Sequence, residues 1–215
     1  MTRGVGTQPA RSWHIWGQTG VRAGSDPGSV HAVRRVAIIG ASGSGKTTLA
    51  DAMAARLGVP HIEVDAIHHG PNWTEMPTPE FRARMEQVVA ADGWVIDSMY
   101  QQKLGDLVPL AADTIVWLDL PLHVTMGRLA QRTAGRYVRR TELWNGNRET
   151  LRGVLWGRES LFAWAVARHR EYRRTLPATF AGPAYRDKDV IRLRSDREVR
   201  AWLDRVSPSR AVGAA

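Results

Sequence analysis

Residues Gly40-Ala41-Ser42-Gly43-Ser44-Gly45-Lys46-Thr47 fit the spacing GxxxxGK[ST] at every fixed position. This octapeptide constrains the fold more than any other feature, because it functions only where a strand feeds it and a helix leaves it. Both flanks are present. Val36 to Ile39 is an apolar, β-branched run suited to a strand covered on both faces. Leu49, Ala50, Met53, Ala54 and Leu57 recur at helical spacing, and Gly58 with Pro60 stops the helix. The glycines permit backbone conformations barred to other residues, so successive N–H groups turn inward toward phosphate oxygens. The helix N-terminus adds its partial positive charge.

Such a loop takes a nucleoside triphosphate with its metal, and ATP with Mg2+ is the expected pair. Lys46 should reach the β- and γ-phosphates and the Thr47 hydroxyl should ligate magnesium. Gly40, Ala41, Ser42, Gly43, Ser44, Gly45, Lys46, Thr47 and Thr48 are the residues expected to line the nucleotide. Magnesium also needs a carboxylate. Two candidates follow predicted strands: Asp65 after His61 to Val64, and Asp97 after Trp94 to Ile96. Both should stand at the carboxyl ends of parallel strands, on the same edge as the loop. Asp97 is assigned to the metal and Asp65 to an acceptor hydroxyl. His68 and His69 follow Asp65 without a third ligand at a fitting spacing, and read as an exposed loop.

The rest of the chain repeats strand, loop and helix. Thr78-Pro79-Glu80 opens a helix with threonine as its cap, carrying Phe81, Met85, Val88 and Val89. Thr114 to Leu118 and Val190 to Leu193 read as further strands, and Glu198 to Val206 as a last helix. Leu122 to Arg132 reads as helix, and the period fails from Gly135 to Gly146. Asn147 is placed as the cap of a long helix with a buried stripe of Leu151, Val154, Leu155, Leu161, Phe162, Ala165, Val166 and Tyr172. Strands alternating with helices give an α/β fold with a parallel sheet covered on both faces.

Residues 1–33 are poor in apolar side chains and read as a disordered extension, with Trp13 and Trp16 its only large apolar pair. Residues 34–207 form the expected domain and 208–215 a disordered tail. There is no cysteine, which excludes disulfides, thiolate zinc sites and a cysteine nucleophile. No apolar run approaches the ~20 residues of a membrane span. A loop of this kind needs nucleotide pools, so the expected location is cytoplasmic. The formal charge is +9, and only Lys46, Lys103 and Lys188 are lysines. From Arg128 to Arg174 twelve arginines stand against four acids. Arginine's planar fork suits phosphate, so this segment would clamp a small molecule's phosphates or meet a nucleic-acid backbone.

These residues resemble the nucleoside- and nucleotide-kinase branch of P-loop proteins, which includes adenylate, shikimate and gluconate kinases. More closely, they look like bacterial adenylate-kinase-like proteins, or DNA topology modulation proteins of the FlaR type. The resemblance spans about Arg35 to Arg205. It rests on the phosphate loop, Asp65 to Trp73, Trp94-Val95-Ile96-Asp97, Val116-Trp117-Leu118-Asp119 and Gly146-Asn147-Arg148-Glu149. It implies a P-loop NTPase fold with a five-stranded parallel sheet flanked by helices, an acceptor region between the second and third strands, and an arginine-rich helical lid at about 134–147. The chain departs from the family's Asp-Gly-Asn-Tyr after the third strand, reading Asp97-Ser98-Met99-Tyr100.

The lid is also what phosphoryl transfer requires: positive charge over the migrating group and exclusion of water. Arg128, Arg132 and Arg136 recur every four residues, Arg139 and Arg140 follow, and Arg148 opens the next segment. Arg132 and Arg136 are expected at the migrating phosphoryl, and Arg148 at the nucleotide. The leading expectation is an adenylate-kinase-like phosphotransferase acting on a small-molecule acceptor. For a hydroxyl acceptor Asp65 orients the nucleophile; for a nucleoside monophosphate, Arg82 or Arg84 grips its phosphate. The alternative is an ATP-binding regulatory module contacting DNA, RNA or protein. No recognised nucleic-acid motif accompanies the basic segment.

Overall fold

Along the first strand Val36 and Ile38 face one way and Ala37 and Ile39 the other, and all four are almost fully buried. A strand with no polar face needs a layer on each side. The structure, a computed structural model, supplies both; it describes residues 33–139, 142–147 and 160–206. The expectations for Trp13, Trp16, Arg140, Arg148, the Leu151, Val154 and Leu155 stripe, and residues 208–215 lie outside the described residues.

Five strands form one parallel sheet: β1 Arg35–Gly40, β2 His61–Ile62, β3 Trp94–Asp97, β4 Thr114–Leu118 and β5 Asp189–Leu193. Their spatial order is β2-β3-β1-β4-β5, so the chain crosses over the central strand between β3 and β4. The helices are α1 Lys46–Leu57, α2 Val64–His68, α3 Thr78–Val89, α4 Gln101–Leu104, α5 Leu107–Ala111, α6 Leu122–Arg139, α7 Leu161–Phe180 and α8 Asp196–Leu203. One face of the sheet packs Ala37, Ile39, Trp94, Ile96, Ile115 and Trp117 against α3 and the end of α7. The other packs Val36, Ile38, Val95 and Val116 against α1, with α8 covering its margin. Burying one such large side chain stabilises by roughly 1.5–3 kcal/mol. The fold is therefore the expected α/β sandwich of helix, parallel sheet and helix.

Several local expectations are corrected. The second strand ends at Ile62, and Val64, fully buried, is the first residue of α2. Thr78 lies inside α3 and caps nothing; Pro77, in extended conformation, precedes the first helical residue. The long helix expected from Asn147 is interrupted at Ser160, and residues 148–159 lie outside the described residues. Ser160 has φ −61° and ψ 146°, and its hydroxyl accepts the Ala163 N–H, so α7 begins there. Conversely, α6 continues past Gly135 to Arg139. Its last buried residue is Thr133, whereas Tyr137 and Val138 are 55% and 79% exposed. Periodicity reports burial, not helicity, so it fades where α6 leaves the body of the protein. No described helix is long and apolar enough to cross a membrane.

Candidate active site

The phosphate loop joins β1 to α1 in the middle of the sheet, at the crossover point where open α/β sheets bind ligands. Gly43 has φ +80° and lies against α6, so that a Cβ there would collide with the Thr125 carbonyl. Gly45, at φ +92°, is the N-cap of α1 and has no side chain to cap it. The first helical bond runs from Leu49 N–H to Gly45 O, so the amides of Lys46, Thr47 and Thr48 have no helical acceptor. Three such donors, at the positive end of a twelve-residue helix, suit a phosphate. Ala41 and Ser44 are buried, Ser42 is half-buried and Thr48 is exposed.

Lys46 is folded onto the loop, its Nζ donating to Gly40 O at 2.9 Å and Ala41 O at 3.3 Å. Burial lowers its pKa; the negative charges of Asp65 and Asp97 oppose that shift, and Arg132 adds to it. A bound polyphosphate supplies the counter-charge that burial withholds.

Register brings Asp97 to this point, since Ile38 pairs with Asp97 on one side and Val116 on the other. Thr47 Oγ1 donates to Asp97 Oδ2 at 2.6 Å, tying the helix to the end of β3. A hydroxyl and a carboxylate, both hard oxygen donors, fit magnesium, which retains waters and takes phosphate oxygens for its remaining positions. Among the described residues no group of three or more His, Cys, Asp or Glu could hold a metal by itself. Behind Asp97 stands His61, with Nε2 at 3.6 Å from Asp97 Oδ1 and Nδ1 at 2.8 Å from Asp51 Oδ1. Asp97, with Asp51's help, raises the His61 pKa.

Asp65 sits in the first turn of α2, one residue inside the helix. Tyr100 donates its phenol hydrogen to Asp65 Oδ1 at 2.6 Å, and the Tyr100 hydroxyl oxygen is 3.2 Å from His69 Nε2. His68 and His69 are not an exposed loop. His68 is 1% exposed, packs on Phe81 and Tyr100, and accepts from Lys103 Nζ at 2.9 Å. The hydrophobic face of α3 draws it inward, and burial followed by Lys103's charge lowers its pKa.

Arg132 reaches the loop from α6, its Nη2 donating to Ser42 Oγ at 3.2 Å. Arg136 lies one turn further along, half-buried. Arg128 pairs with Asp196 at 2.5 Å, and Arg168 and Arg173 pair with Glu171 and Asp119. The basic segment is thus partly balanced inside the protein. Arg82 donates to the Leu104 carbonyl at 3.0 Å and meets Glu86 at 3.2 Å, turned to α4 and its own helix. Arg84 is exposed on α3.

Beyond the end of α6, residues 142–147 clasp the segment around α2 and the loop that follows it. Asn147, 3% exposed, donates to Gly70 O at 2.9 Å and accepts from Trp73 N–H at 2.8 Å. Trp144 Nε1 donates to Glu63 at 2.9 Å and Asn145 to His69 O at 2.5 Å. Sequence reasoning assigned Asn147 to a helix cap and gave Tyr100, His61 and Trp144 no role. The one signal available was that Tyr100 and Asn147 fall inside the motifs that carry the resemblance.

No protein-family model matches the chain, and neither does any curated protein sequence. Among solved structures it is similar to a gluconokinase from Sinorhizobium meliloti, at 20% identity over 82% of this chain and 94% of that one, with a TM-score of 0.45. It is also similar to a sugar kinase from Janibacter sp., at 19% identity, 85% and 99% coverage and a TM-score of 0.47. A shikimate kinase from Bacteroides thetaiotaomicron gives 17%, 81%, 97% and 0.45. Likeness at this level says nothing about chemistry, which has to come from the site's own residues.

Proposed function

We propose that this protein is an ATP-dependent phosphotransferase that moves the γ-phosphoryl group onto a hydroxyl of a small molecule. The observation that carries the reading is a pair of carboxylates, each held by a hydroxyl. Asp97 is bound to the loop's own Thr47, and Asp65 is held by Tyr100. The loop amides and Lys46 hold the triphosphate, and Thr47 with Asp97 hold magnesium. That ion, when bound, neutralises charge on the phosphate oxygens. Asp65 accepts the hydrogen of the acceptor hydroxyl. The acceptor oxygen bonds to the γ-phosphorus while the bond to the bridging oxygen breaks, and that electron pair leaves with ADP. Arg132, anchored at Ser42, faces the charge that develops on the migrating group.

The hydroxyl class is taken first because Tyr100 holds Asp65 and Arg82 is engaged with Leu104 and Glu86; Arg84, exposed on α3, is the residue that would grip a nucleoside monophosphate. On the donor side the adenylate-kinase-like, FlaR-type resemblance remains part of the proposal, and such a reaction belongs with the cytoplasmic nucleotide pool. The test is a screen of sugars, sugar acids, hydroxy acids, nucleosides and monophosphates for acceptor-dependent ADP release. A hydroxyl compound should stimulate release in the wild type and not in Lys46→Ala. Stimulation only by monophosphates would move the acceptor class. Salt-sensitive binding of DNA or RNA without any stimulation would favour the regulatory reading.

A further inference from the structure

The turn after β3 contains two residues in conformations that favour glycine: Ser98 at φ +131°, and Tyr100 at φ +44° and ψ +42°. Each such residue costs roughly 1–3 kcal/mol and persists only where its surroundings fix it. Met99 between them is 3% exposed and anchored in the core, and α4 begins directly after Tyr100. The strained path delivers one group, the Tyr100 hydroxyl, to one atom, Asp65 Oδ1, across 35 residues of sequence. The ring is fixed on two sides, edge-on to Phe81 at 5.4 Å and to His68 at 4.8 Å. Burial, and then the charge of Asp65, raises the phenol's pKa far above its ordinary value. It therefore remains a donor, and its oxygen can accept from His69 Nε2.

A carboxylate has two oxygens, and a nucleophile is oriented well only if one of them is held elsewhere. We infer that Tyr100 is the positioning residue of the transfer reaction, holding Asp65 Oδ1 so that the second oxygen is presented to the acceptor hydroxyl. This rests on the function proposed above and assigns it a residue that makes no contact with the acceptor. It also gives one turn two duties. Its first residue, Asp97, meets Thr47 on the donor side, and its last, Tyr100, sets the acceptor side.

The test uses ATP, magnesium and water, the smallest hydroxyl acceptor, with ADP release as readout, in the full chain. Three variants are compared with wild type: Tyr100→Phe, Asp65→Asn and the double variant. Phenylalanine keeps both ring contacts, and ATP-dependent thermal stabilisation equal to wild type confirms an intact donor site. Tyr100→Phe should lower turnover about ten- to a hundredfold, as loss of a hydrogen bond to a charged group does, with KM for ATP unchanged. If Tyr100 acts through Asp65, the double variant is no slower than Asp65→Asn alone. Wild-type turnover in Tyr100→Phe beside a slow Asp65→Asn overturns the inference and leaves the proposed function standing. So does a double variant in which the two losses multiply. Unchanged ADP release in Asp65→Asn removes the role proposed for Asp65 and this inference with it.

Discussion

The donor and acceptor sides of the site use the same device, a carboxylate held by a hydroxyl, and obtain it differently. On the donor side Thr47 holds Asp97. Thr47 belongs to a contiguous octapeptide, and the sheet register alone brings Asp97 to it. On the acceptor side Asp65 depends on Tyr100, Tyr100 on a strained turn, and the loop after Asp65 on Asn147 from beyond α6. The donor side is local and the acceptor side is assembled from distant segments. Substitutions should therefore act on nucleotide binding through few residues and on transfer through many.

The largest effect that sharpens this contrast is at Arg132. Arg132→Ala should lower acceptor-dependent ADP release by about a hundredfold or more, the scale of losing one electrostatic donor to the transition state. Titration of ATP should give an affinity changed far less, since the loop amides remain. Arg136→Ala should act in the same direction. If the double variant transfers phosphoryl at the wild-type rate, α6 has no role in the chemistry.

Asn147→Ala comes next. It leaves the Gly70 carbonyl and the Trp73 N–H without their partner, each costing about 1–3 kcal/mol where water cannot replace it. Urea unfolding should show a loss in that range, and KM for the acceptor should rise while ATP affinity holds. Equal losses of ATP and acceptor binding would erase the distinction between the two sides.

How far the sequence could be read follows the same line. The strand and helix flanking the phosphate loop and all five strands were legible, because glycine spacing and apolar runs are local signals. Helices α4 and α5 were not, since four and five residues are too short to show a period. The start of α7 at Ser160 was not legible, because the apolar spacing from Leu151 to Tyr172 reads straight through it. His68 was misread because nothing in its own segment signals that Phe81 and Tyr100, from distant segments, will enclose it. The Ser98 departure was visible in sequence, but its meaning, a positive φ without a glycine, required the backbone.

That departure gives a smaller effect. Ser98→Gly should stabilise the protein by about 1 kcal/mol by relieving the left-handed strain, offset in part by a more flexible unfolded chain. Thermal unfolding measures it. Destabilisation would mean that the serine side chain contributes more than the strain costs.

The smallest is a change of slope. The His68 pKa is lowered in the folded protein, so below its unfolded value of about 6.5 the unfolded chain binds a proton that the folded one resists. Stability contributed by His68 is present above that pH and falls as pH drops through it. His169, lowered by burial and then Arg173, acts in the same sense. His61, raised by Asp97, acts in the opposite sense, so the variant is compared with the wild type: between pH 7 and 5 the unfolding midpoint of His68→Gln, which can still accept from Lys103, should decline less. A steeper decline in that variant would contradict the neutral, accepting His68.

The division of labour between the two carboxylates is the central claim, and one paired measurement addresses it: ATP affinity with magnesium, and acceptor-dependent ADP release, in Asp97→Asn and Asp65→Asn. Asp97→Asn should weaken magnesium-dependent ATP binding, because it removes the carboxylate bonded to Thr47. Asp65→Asn should bind ATP as the wild type does and lose most of its transfer. The reverse pattern would exchange the two roles, and wild-type behaviour in both variants would contradict the account.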